Sequence, residues 1–225
     1  LRQDIHCNKK VTGVESTPSG CKVRCSDGSV YAAKRVVCSL PLGVLRNIEL
    51  DPPFSGLQEE ALQNIESQAI TQFYFAHRSK FWEKDGFAPS MFTDGPAGMV
   101  SATRSGKDPA EVTGLTAWAM GLKAEKLDAL PAKEAGCLAL QAIEAIRPAS
   151  RGQLELVGTH SWGTDPFAQG GWAYFKPGQI THLIPAMSEP HGLIHFCGEH
   201  LAVANRGMEG AMESGERAAL EIINA

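Results

Sequence analysis

Residues 195–223, HFCGEHLAVANRGMEGAMESGERAALEII, decide the fold. They join a short apolar strand to a Gly-Glu-His turn, a loop and a closing helix that begins near Met208. The helix is poor in bulky side chains, and Gly210, Ser214, Gly215 and Ala218 would let it approach a sheet closely. Counting apolar positions predicts a buried face made of Met208, Ala211, Met212, Gly215, Ala219 and Ile222.

The first turn of this helix is a candidate binding site. It opens after Gly207, and the strand before it ends in Gly198-Glu199. A helix start offers free backbone N–H groups and the positive end of the helix dipole. The pattern therefore predicts a receptor for an anionic or electron-rich ligand edge, with plain helix–sheet packing as the alternative.

The strand itself admits two interpretations. His195, Cys197 and Glu199 alternate, so they would share one face and could hold a metal ion. The favoured interpretation is a buried strand, with Gly198 where a ligand approaches the backbone closely. We therefore assign no metal ligands.

Composition limits the classes of protein. The 225 residues are 43% hydrophobic and 20% charged, with a net charge of −4, which predicts a sizeable core in one or two domains. No basic block, membrane span or leader is visible, so we expect neither a nucleic-acid partner nor a membrane-spanning segment. The six cysteines lack CxxC pairs, which slightly favours the cytoplasm, although the localisation stays unknown.

The first 45 residues predict a small antiparallel meander followed by one parallel strand. Strands begin at Val11 and Cys21, and Asp27-Gly28 forms a hairpin turn into a third strand. Residues 35–40, RVVCSL, form a largely apolar run, which is typical of a parallel strand covered on both faces.

The middle of the chain predicts a separate body of mixed strands and helices. Helices are expected at 55–66, from 123 and at 132–146, and strands at 70–76, 88–93, 97–103, 113–120 and 151–161. The 132–146 helix would bury Ala135, Leu138, Leu140, Ala142 and Ile146. Because regular βαβ units are missing, the fold class is α+β.

Residues 160–178, HSWGTDPFAQGGWAYFKPG, form an aromatic loop. They hold Trp162, Trp172, a Phe and a Tyr among several Gly and Pro. This composition predicts a pocket wall of aromatic rings, or else an ordinary aromatic-anchored loop.

Together these segments resemble the C-terminal half of a flavin-dependent amine oxidase, the family of monoamine, polyamine and L-amino-acid oxidases. KKVTGVES, RVVCSLPLGVL, KFW, SWGTDPFAQGGW and FCGEHLAVANRGMEGAMESGERAALEI occur in the family's order. The last motif is the most specific. The resemblance implies a partial FAD-binding domain at 1–46, a mixed-sheet substrate-binding domain at 47–175, and the rest of the FAD-binding domain at 176–225.

The resemblance also implies the cofactor contacts. Val11 would contact the adenine end of FAD, and Pro41 would lie near the crossing between the two domains. Gly198 and Glu199 would meet the ribityl-pyrophosphate part, with the Glu199 backbone N–H as donor. The helix start at Gly207 and Met208 would face flavin N1 and the C2 carbonyl, where negative charge develops.

The implied reaction is the oxidation of an amine or L-amino acid. Hydride would pass from the carbon bearing the neutral amine to flavin N5, and oxygen would reoxidise the flavin to give hydrogen peroxide. Trp172 and Trp162 would wall the substrate site. Arg78 and Arg104 could hold a substrate carboxylate, but solvated surface is the favoured interpretation of both.

Three departures from the family pattern qualify this expectation. The Gly-rich dinucleotide fingerprint is absent, which predicts a fragment or one chain of a split enzyme whose N-terminal FAD-binding half lies elsewhere. Counting nine residues back from Phe81, the usual Lys is replaced by Gln72, which has no charge, so a dehydrogenase is an alternative to an oxidase. Gly207 replaces an aromatic residue of monoamine oxidases and would enlarge the pocket.

The sequence also allows other functions. One alternative is a non-amine flavoprotein of the same frame, similar to desaturases or protoporphyrinogen oxidase. Another is a non-catalytic subunit without cofactor. The sequence also leaves open which amine is used and whether the chain forms a homo-oligomer.

Overall fold

The structure, a computed structural model, describes residues 5–204 and 206–225, so residues 1–4 and Asn205 of the loop before the last helix lie outside the described residues. The chain forms two compact units. The terminal unit comprises Leu1–Ser67 and Trp172–Ala225, and the central unit comprises Gln68–Gly171. Both mix helices and strands, which confirms the α+β prediction. Across the described ranges, no helix has the length and apolar character needed to cross a membrane.

The first segment of the terminal unit contains the predicted meander. Its elements are β1 (Val11–Thr17), β2 (Gly20–Cys25), β3 (Val30–Ala33), β4 (Val36–Cys38), α1 (Leu42–Leu45), β5 (Glu49–Asp51), α2 (Gly56–Asn64) and β6 (Glu66–Ser67). The first sheet has the order β3-β2-β1-β5, with β5 parallel to β1. Helix α2 ends two residues before the predicted end because Glu66 already pairs in β6.

The central unit is a five-stranded sheet with helices on one face. Its elements are β7 (Ile70–His77), α3 (Phe81–Asp85), β8 (Met91–Phe92), β9 (Met99–Thr103), β10 (Gly114–Met120), α4 (Leu122–Asp128), α5 (Ala132–Ile146) and β11 (Leu154–Ser161). The strand order is β11-β7-β10-β9-β8, and every pairing is antiparallel. Alternate residues of these strands meet the helices in one core, which includes Phe73, Phe75, Val100, Leu115, Ala117, Ala139 and Ile143. The opposite face of the sheet carries the intervening side chains.

The last segment returns to the terminal unit. Its elements are β12 (Ala173–Tyr174), α6 (Gln179–Ser188), β13 (Ile194–Phe196) and α7 (Met208–Ile223). Strand β12 pairs antiparallel with β6, and β13 pairs parallel with β4. Helix α6 packs on α2, where the Gln58 amide donates to the carbonyl oxygens of Ala186 at 3.2 Å and Glu189 at 2.9 Å.

The limits of the compact units differ from the predicted limits at 46/47 and 175/176. Residues 47–67 and 172–175 belong to the terminal unit. The physical reason is that α2 packs on α6 and β6 pairs with β12. The central unit begins and ends at hydrogen-bonded neighbours, because the Gly171 N–H donates to the Gln68 carbonyl at 2.9 Å. The functions assigned to the three segments stay predictions.

Strand β4 is parallel, as predicted, but it is not covered on both faces. Among the described residues its only strand partner is β13, and the Val37 side chain is 49% exposed. The apolar run at 35–40 is therefore buried on one side only.

Helix α5 has the predicted bounds and a buried face that is only partly as predicted: Ala135 is buried, and Leu140 and Ala142 pack against the core. Ala135, Gly136, Ala139 and Ile143 are buried. Leu138 and Ile146 are exposed, contrary to the prediction. Small residues line the buried face because the helix lies close to β11, where a Cβ on Gly136 would meet Leu156 Cδ2 at 2.3 Å.

The predicted buried face of α7 is also wrong. The buried residues are Gly210, Ser214 and Ala218, whereas Met208 is 85% and Met212 69% exposed. Small residues at four-residue spacing let α7 approach the turn after β13 closely, as the composition of the helix suggested.

Candidate functional site

Two features, one in each compact unit, carry the predicted site residues. In the terminal unit, the ends of β4 and β13 lie side by side, and the Cys197 N–H donates to the Cys38 carbonyl at 3.0 Å. The chain therefore leaves both strands at the same edge, towards Pro41 on one side and Gly198 on the other. Val11 begins β1 in the other sheet, and its role stays a prediction.

Gly198 occupies a backbone position that excludes a side chain. Its φ is +142°, and a Cβ there would lie 2.5 Å from Cε1 of the buried His200 ring. The Gly198 N–H donates to Ser214 Oγ at 2.8 Å, and the Ser214 hydroxyl lies 2.9 Å from the Gly198 carbonyl. The turn is thus clamped to α7 through one hydroxyl. Because the strand ends at Phe196, His195, Cys197 and Glu199 do not share one strand face.

This clamp gives a prediction about two neighbouring positions of α7. Ser214→Ala removes the acceptor of the Gly198 N–H and is expected to lower the free energy of unfolding by about 1 to 2 kcal/mol. Gly215→Ala is the matched control, since no atom would lie within 4 Å of the new Cβ. It is expected to raise the free energy of unfolding by about 0.5 kcal/mol through helix propensity. Urea unfolding measures both; equal effects of the two substitutions would contradict the clamp.

Glu199 has one satisfied and one unsatisfied carboxylate oxygen. Oε1 accepts a hydrogen bond from the Ala173 N–H at 2.7 Å. Oε2 is buried and has no hydrogen-bond partner among the described residues. A buried acceptor of this kind requires a donor from a ligand or from water. The sequence prediction gave Glu199 a backbone role, and the structure adds a side-chain acceptor that no sequence signal indicated.

The N-terminus of α7 is open. Gly207 has a φ of +84°, and a Cβ there would meet no atom within 4 Å. Within residues 206–225, no side chain caps the helix, and its first internal bond runs from the Ala211 N–H to the Gly207 carbonyl. Among the described residues, the preceding N–H groups of the first turn therefore have no partner, and the ligand contact assigned to Gly207 and Met208 stays a prediction.

In the central unit, the site residues lie on the face of the sheet that the helices leave open. Strand register aligns one side chain from each strand in a row across this face: His160, Gln72, Trp118, Met99 and Phe92. The row contains no Asp, Glu, Lys or Arg. A ligand on this face would therefore meet aromatic, thioether and amide groups.

Gln72 lies at the centre of a hydrogen-bond cluster. Its side chain is buried, and Oε1 accepts from Trp162 Nε1 at 2.7 Å and from Tyr74 Oη at 2.9 Å. The structure therefore brings together Gln72 and Trp162, which sequence analysis predicted separately. The His160 ring packs edge-on against Trp162, with 4.4 Å between ring centroids.

Three further side chains of this face were not predicted from the sequence. Tyr74 and His160 adjoin the cluster, and Trp118 donates from Nε1 to Ser101 Oγ at 3.0 Å. The alternation of β7 could have indicated Tyr74, two residues after Gln72. Trp172 belongs to the terminal unit, where it directly precedes β12 and is 39% exposed.

The chain is similar to known flavoproteins over its whole length. A family model described as flavin containing amine oxidoreductase matches residues 1–223. An L-amino-acid oxidase of Bothrops moojeni is 25% identical over 235 residues, which cover 100% of this chain and 46% of that protein. Flavin-containing amine oxidase B of Canis lupus familiaris is 25% identical over 237 residues, covering 100% and 44%.

The fold of the chain is similar to that of solved structures. The structure of wild-type putrescine oxidase bound to putrescine has a TM-score of 0.80 at 24% identity, covering 97% of this chain and 49% of that one. The chain spans about half the length of the curated relatives it matches.

Proposed function

Because this chain belongs to the flavin-containing amine oxidoreductase family, we propose that it forms the C-terminal part of an FAD-dependent enzyme that oxidises an amine or an L-amino acid to the imine. Bound FAD would supply the hydride acceptor and, on reoxidation by oxygen, hydrogen peroxide. The observation that carries the proposal is the open α7 terminus beside a turn whose Glu199 Oε2 is buried without a partner.

The terminal unit fits a flavin dinucleotide. A buried carboxylate oxygen without a donor suits a ligand hydroxyl group, of which FAD has several. The free N–H groups at Met208 suit an electron-rich ring edge, and the helix dipole would stabilise negative charge there. Gly207, which has no side chain, would leave this edge accessible. Val11 and Pro41 are proposed as further contacts from the family resemblance.

The central unit supplies a neutral surface suited to substrate. The row of His160, Gln72 and Trp118 can contact an uncharged amine and its apolar substituent through aromatic rings and an amide. From the family resemblance, Trp162 and Trp172 are proposed as substrate contacts. Gln72 can orient a hydrogen-bonding partner but brings no positive charge.

We further propose that an N-terminal FAD-binding half completes the enzyme. The sequence contains no Gly-x-Gly-x-x-Gly, the motif whose backbone cradles the pyrophosphate of dinucleotides. Without that cradle, this chain alone would hold FAD weakly. The half could belong to the same precursor or to another chain.

Co-expression with an FAD-binding half of the family tests the proposal. We expect a yellow complex that releases FAD on denaturation and produces hydrogen peroxide with members of a panel of amines and L-amino acids. A complex that binds flavin but leaves every amine and amino acid unchanged would favour the non-amine flavoprotein alternative. A colourless, inert complex would contradict the proposal.

A substitution at Glu199 tests the cofactor contact. Glu199→Ala removes the buried acceptor and is expected to weaken FAD binding about tenfold, since one such hydrogen bond contributes about 1.4 kcal/mol. Glu49→Ala is the control in the same unit, because that carboxylate is 75% exposed. Flavin fluorescence during FAD titration gives both affinities. Equal affinities for the two variants would show that Glu199 does not contact FAD.

A further inference from the structure

The orientation of the Gln72 amide is determined by its neighbours. An indole N–H can only donate, so the atom 2.7 Å from Trp162 Nε1 must be the amide oxygen. The Tyr74 hydroxyl donates to the same oxygen at 2.9 Å. A flipped amide would place its own N–H groups against the indole donor and lose that bond. Both acceptor positions of Oε1 are therefore filled, and a flip of the amide would lose the bond to the indole.

The two donors are themselves held in place. The Trp162 backbone N–H donates to the Ile70 carbonyl at 2.9 Å, which ties it to the first residue of β7. The His160 ring packs against the indole at an interplanar angle of 76°. Tyr74 lies two residues from Gln72 on the same face of β7. Trp162 directly follows β11, and its backbone bond to Ile70 extends the pairing of β11 with β7, so the cluster lies where this strand pair ends.

The amide nitrogen has a different environment. Gln72 as a whole is only 6% exposed. Among the described residues, nothing accepts a hydrogen bond from its Nε2, and this nitrogen is not one of the fully buried atoms left without a partner, so it reaches the remaining exposed part of the side chain. With Oε1 occupied, Gln72 can offer only N–H donors to the open face. A donor pair binds an atom with a free lone pair and cannot bind a protonated ammonium group, which has none.

We propose that Trp162 and Tyr74 are positioning residues that hold Gln72 as a neutral, donor-only contact for a lone-pair acceptor. The acceptor is either a bound water or the unprotonated nitrogen of the amine substrate. This inference rests on the proposed function for the identity of the substrate, but not for the locked amide itself. The fixed Gln72 amide would donate hydrogen bonds in a defined direction, as a cationic donor would, but it carries no positive charge.

The locked amide is testable without turnover. In ¹⁵N NMR spectra of the chain, Gln72→Leu should shift the Trp162 indole resonance and speed its hydrogen exchange about tenfold or more. Gln72→Glu keeps an oxygen facing both donors, so the Trp162 indole should stay protected. The Trp118 indole, bonded to Ser101, is the internal control and should not change. An unchanged Trp162 resonance in Gln72→Leu would overturn the proposal.

The donor role is tested in the complex with the FAD-binding half. Gln72→Glu replaces the N–H donors by an acceptor. It should slow one of the two half-reactions, amine oxidation or reoxidation by oxygen, about tenfold or more, whereas Gln72→Lys should retain most of the rate of that half-reaction. Trp162→Phe should slow the same half-reaction, but by a smaller factor. A loss in kcat/KM for the amine identifies the substrate nitrogen as acceptor; a loss only in reoxidation by oxygen identifies water.

The two proposals fail in different ways. If Gln72→Glu leaves both half-reactions unchanged, the donor role is wrong even though the enzyme oxidises amines. If the complex oxidises no amine, the proposed function fails, and the NMR comparison still decides whether the amide is locked.

Discussion

Replacing Arg147 by alanine is expected to lower the free energy of unfolding of the central unit by about 3 kcal/mol. Arg147 is 6% exposed and donates to both oxygens of Asp85, from Nε at 3.0 Å and from Nη2 at 2.6 Å. Its Nη1 donates to the Ala88 carbonyl at 2.7 Å. The guanidinium also lies over the Phe81 ring, 5.0 Å from its centroid. Truncation would leave Asp85 and a carbonyl without their donors.

The chain offers a matched ion pair as a control. Arg78 and Glu155 lie 3.5 Å apart in the same unit, but their side chains are 67% and 61% exposed. Arg78→Ala is therefore expected to cost less than about 1 kcal/mol. Urea unfolding followed by tryptophan fluorescence reports mainly on the central unit, which contains Trp82, Trp118 and Trp162. Similar decreases in the free energy of unfolding for the two variants would show that the buried Arg147 pair contributes no more than the exposed pair.

Acidification from pH 7 to pH 5 is expected to destabilise the terminal unit through His200 by about 2 kcal/mol. Burial lowers the pKa of this side chain from 6.5 to about 4. Below pH 6.5, His200 therefore becomes protonated in the unfolded chain, whereas in the folded chain it stays neutral down to about pH 4. The unfolded state binds more protons, so stability is complete above pH 6.5 and falls as the pH decreases.

His200→Phe tests this dependence because it keeps a flat ring and removes the titration. The difference in unfolding free energy between pH 7 and pH 5 should shrink by about 2 kcal/mol relative to the unsubstituted chain. His182→Phe, at an exposed position, is the control. Burial raises the pKa of Glu221, but hydrogen bonds from His195 and Arg217 outweigh this effect and lower the pKa below 4.5. The contribution of Glu221 to stability is therefore lost only at lower pH than that of His200. An unchanged slope in His200→Phe would reject the assignment.

Much of the fold follows from local sequence patterns. The alternation at 70–76 and the helical period at 132–146 predicted β7 and α5, because each element buries a regular face against one core. The start of α7 at Met208 was also predicted from the Gly before it. These features depend on neighbours in sequence.

The buried faces of the helices could not be predicted in the same way. Periodicity assigns the largest apolar residues to the core, and so it favoured Met212 over Ser214. In the structure, close approach selects small residues, and the Ser214 hydroxyl is needed by Gly198. The contact joins residues far apart in sequence, so no local pattern contains it.

The Gln72 cluster shows the same limit. Its position in β7 was found by counting from Phe81, but its bond to Trp162 joins residues 90 positions apart. That bond depends on the register between β7 and β11, which shifts between Leu156 and Gly158. A sequence shows the alternation of each strand, but the register between two distant strands is a property of the folded sheet.

The hydrogen bond between Gln68 and Gly171 has a consequence for how this architecture can diversify. Because the central unit starts and finishes at hydrogen-bonded residues, we expect that its 104 residues can be exchanged as one segment while the surrounding chain keeps its path. Ser67 and Ala173, just outside this segment, are paired in their own ladder and can be joined by a short turn. New specificities can therefore arise by grafting a different sheet, without rebuilding the part proposed to hold the cofactor.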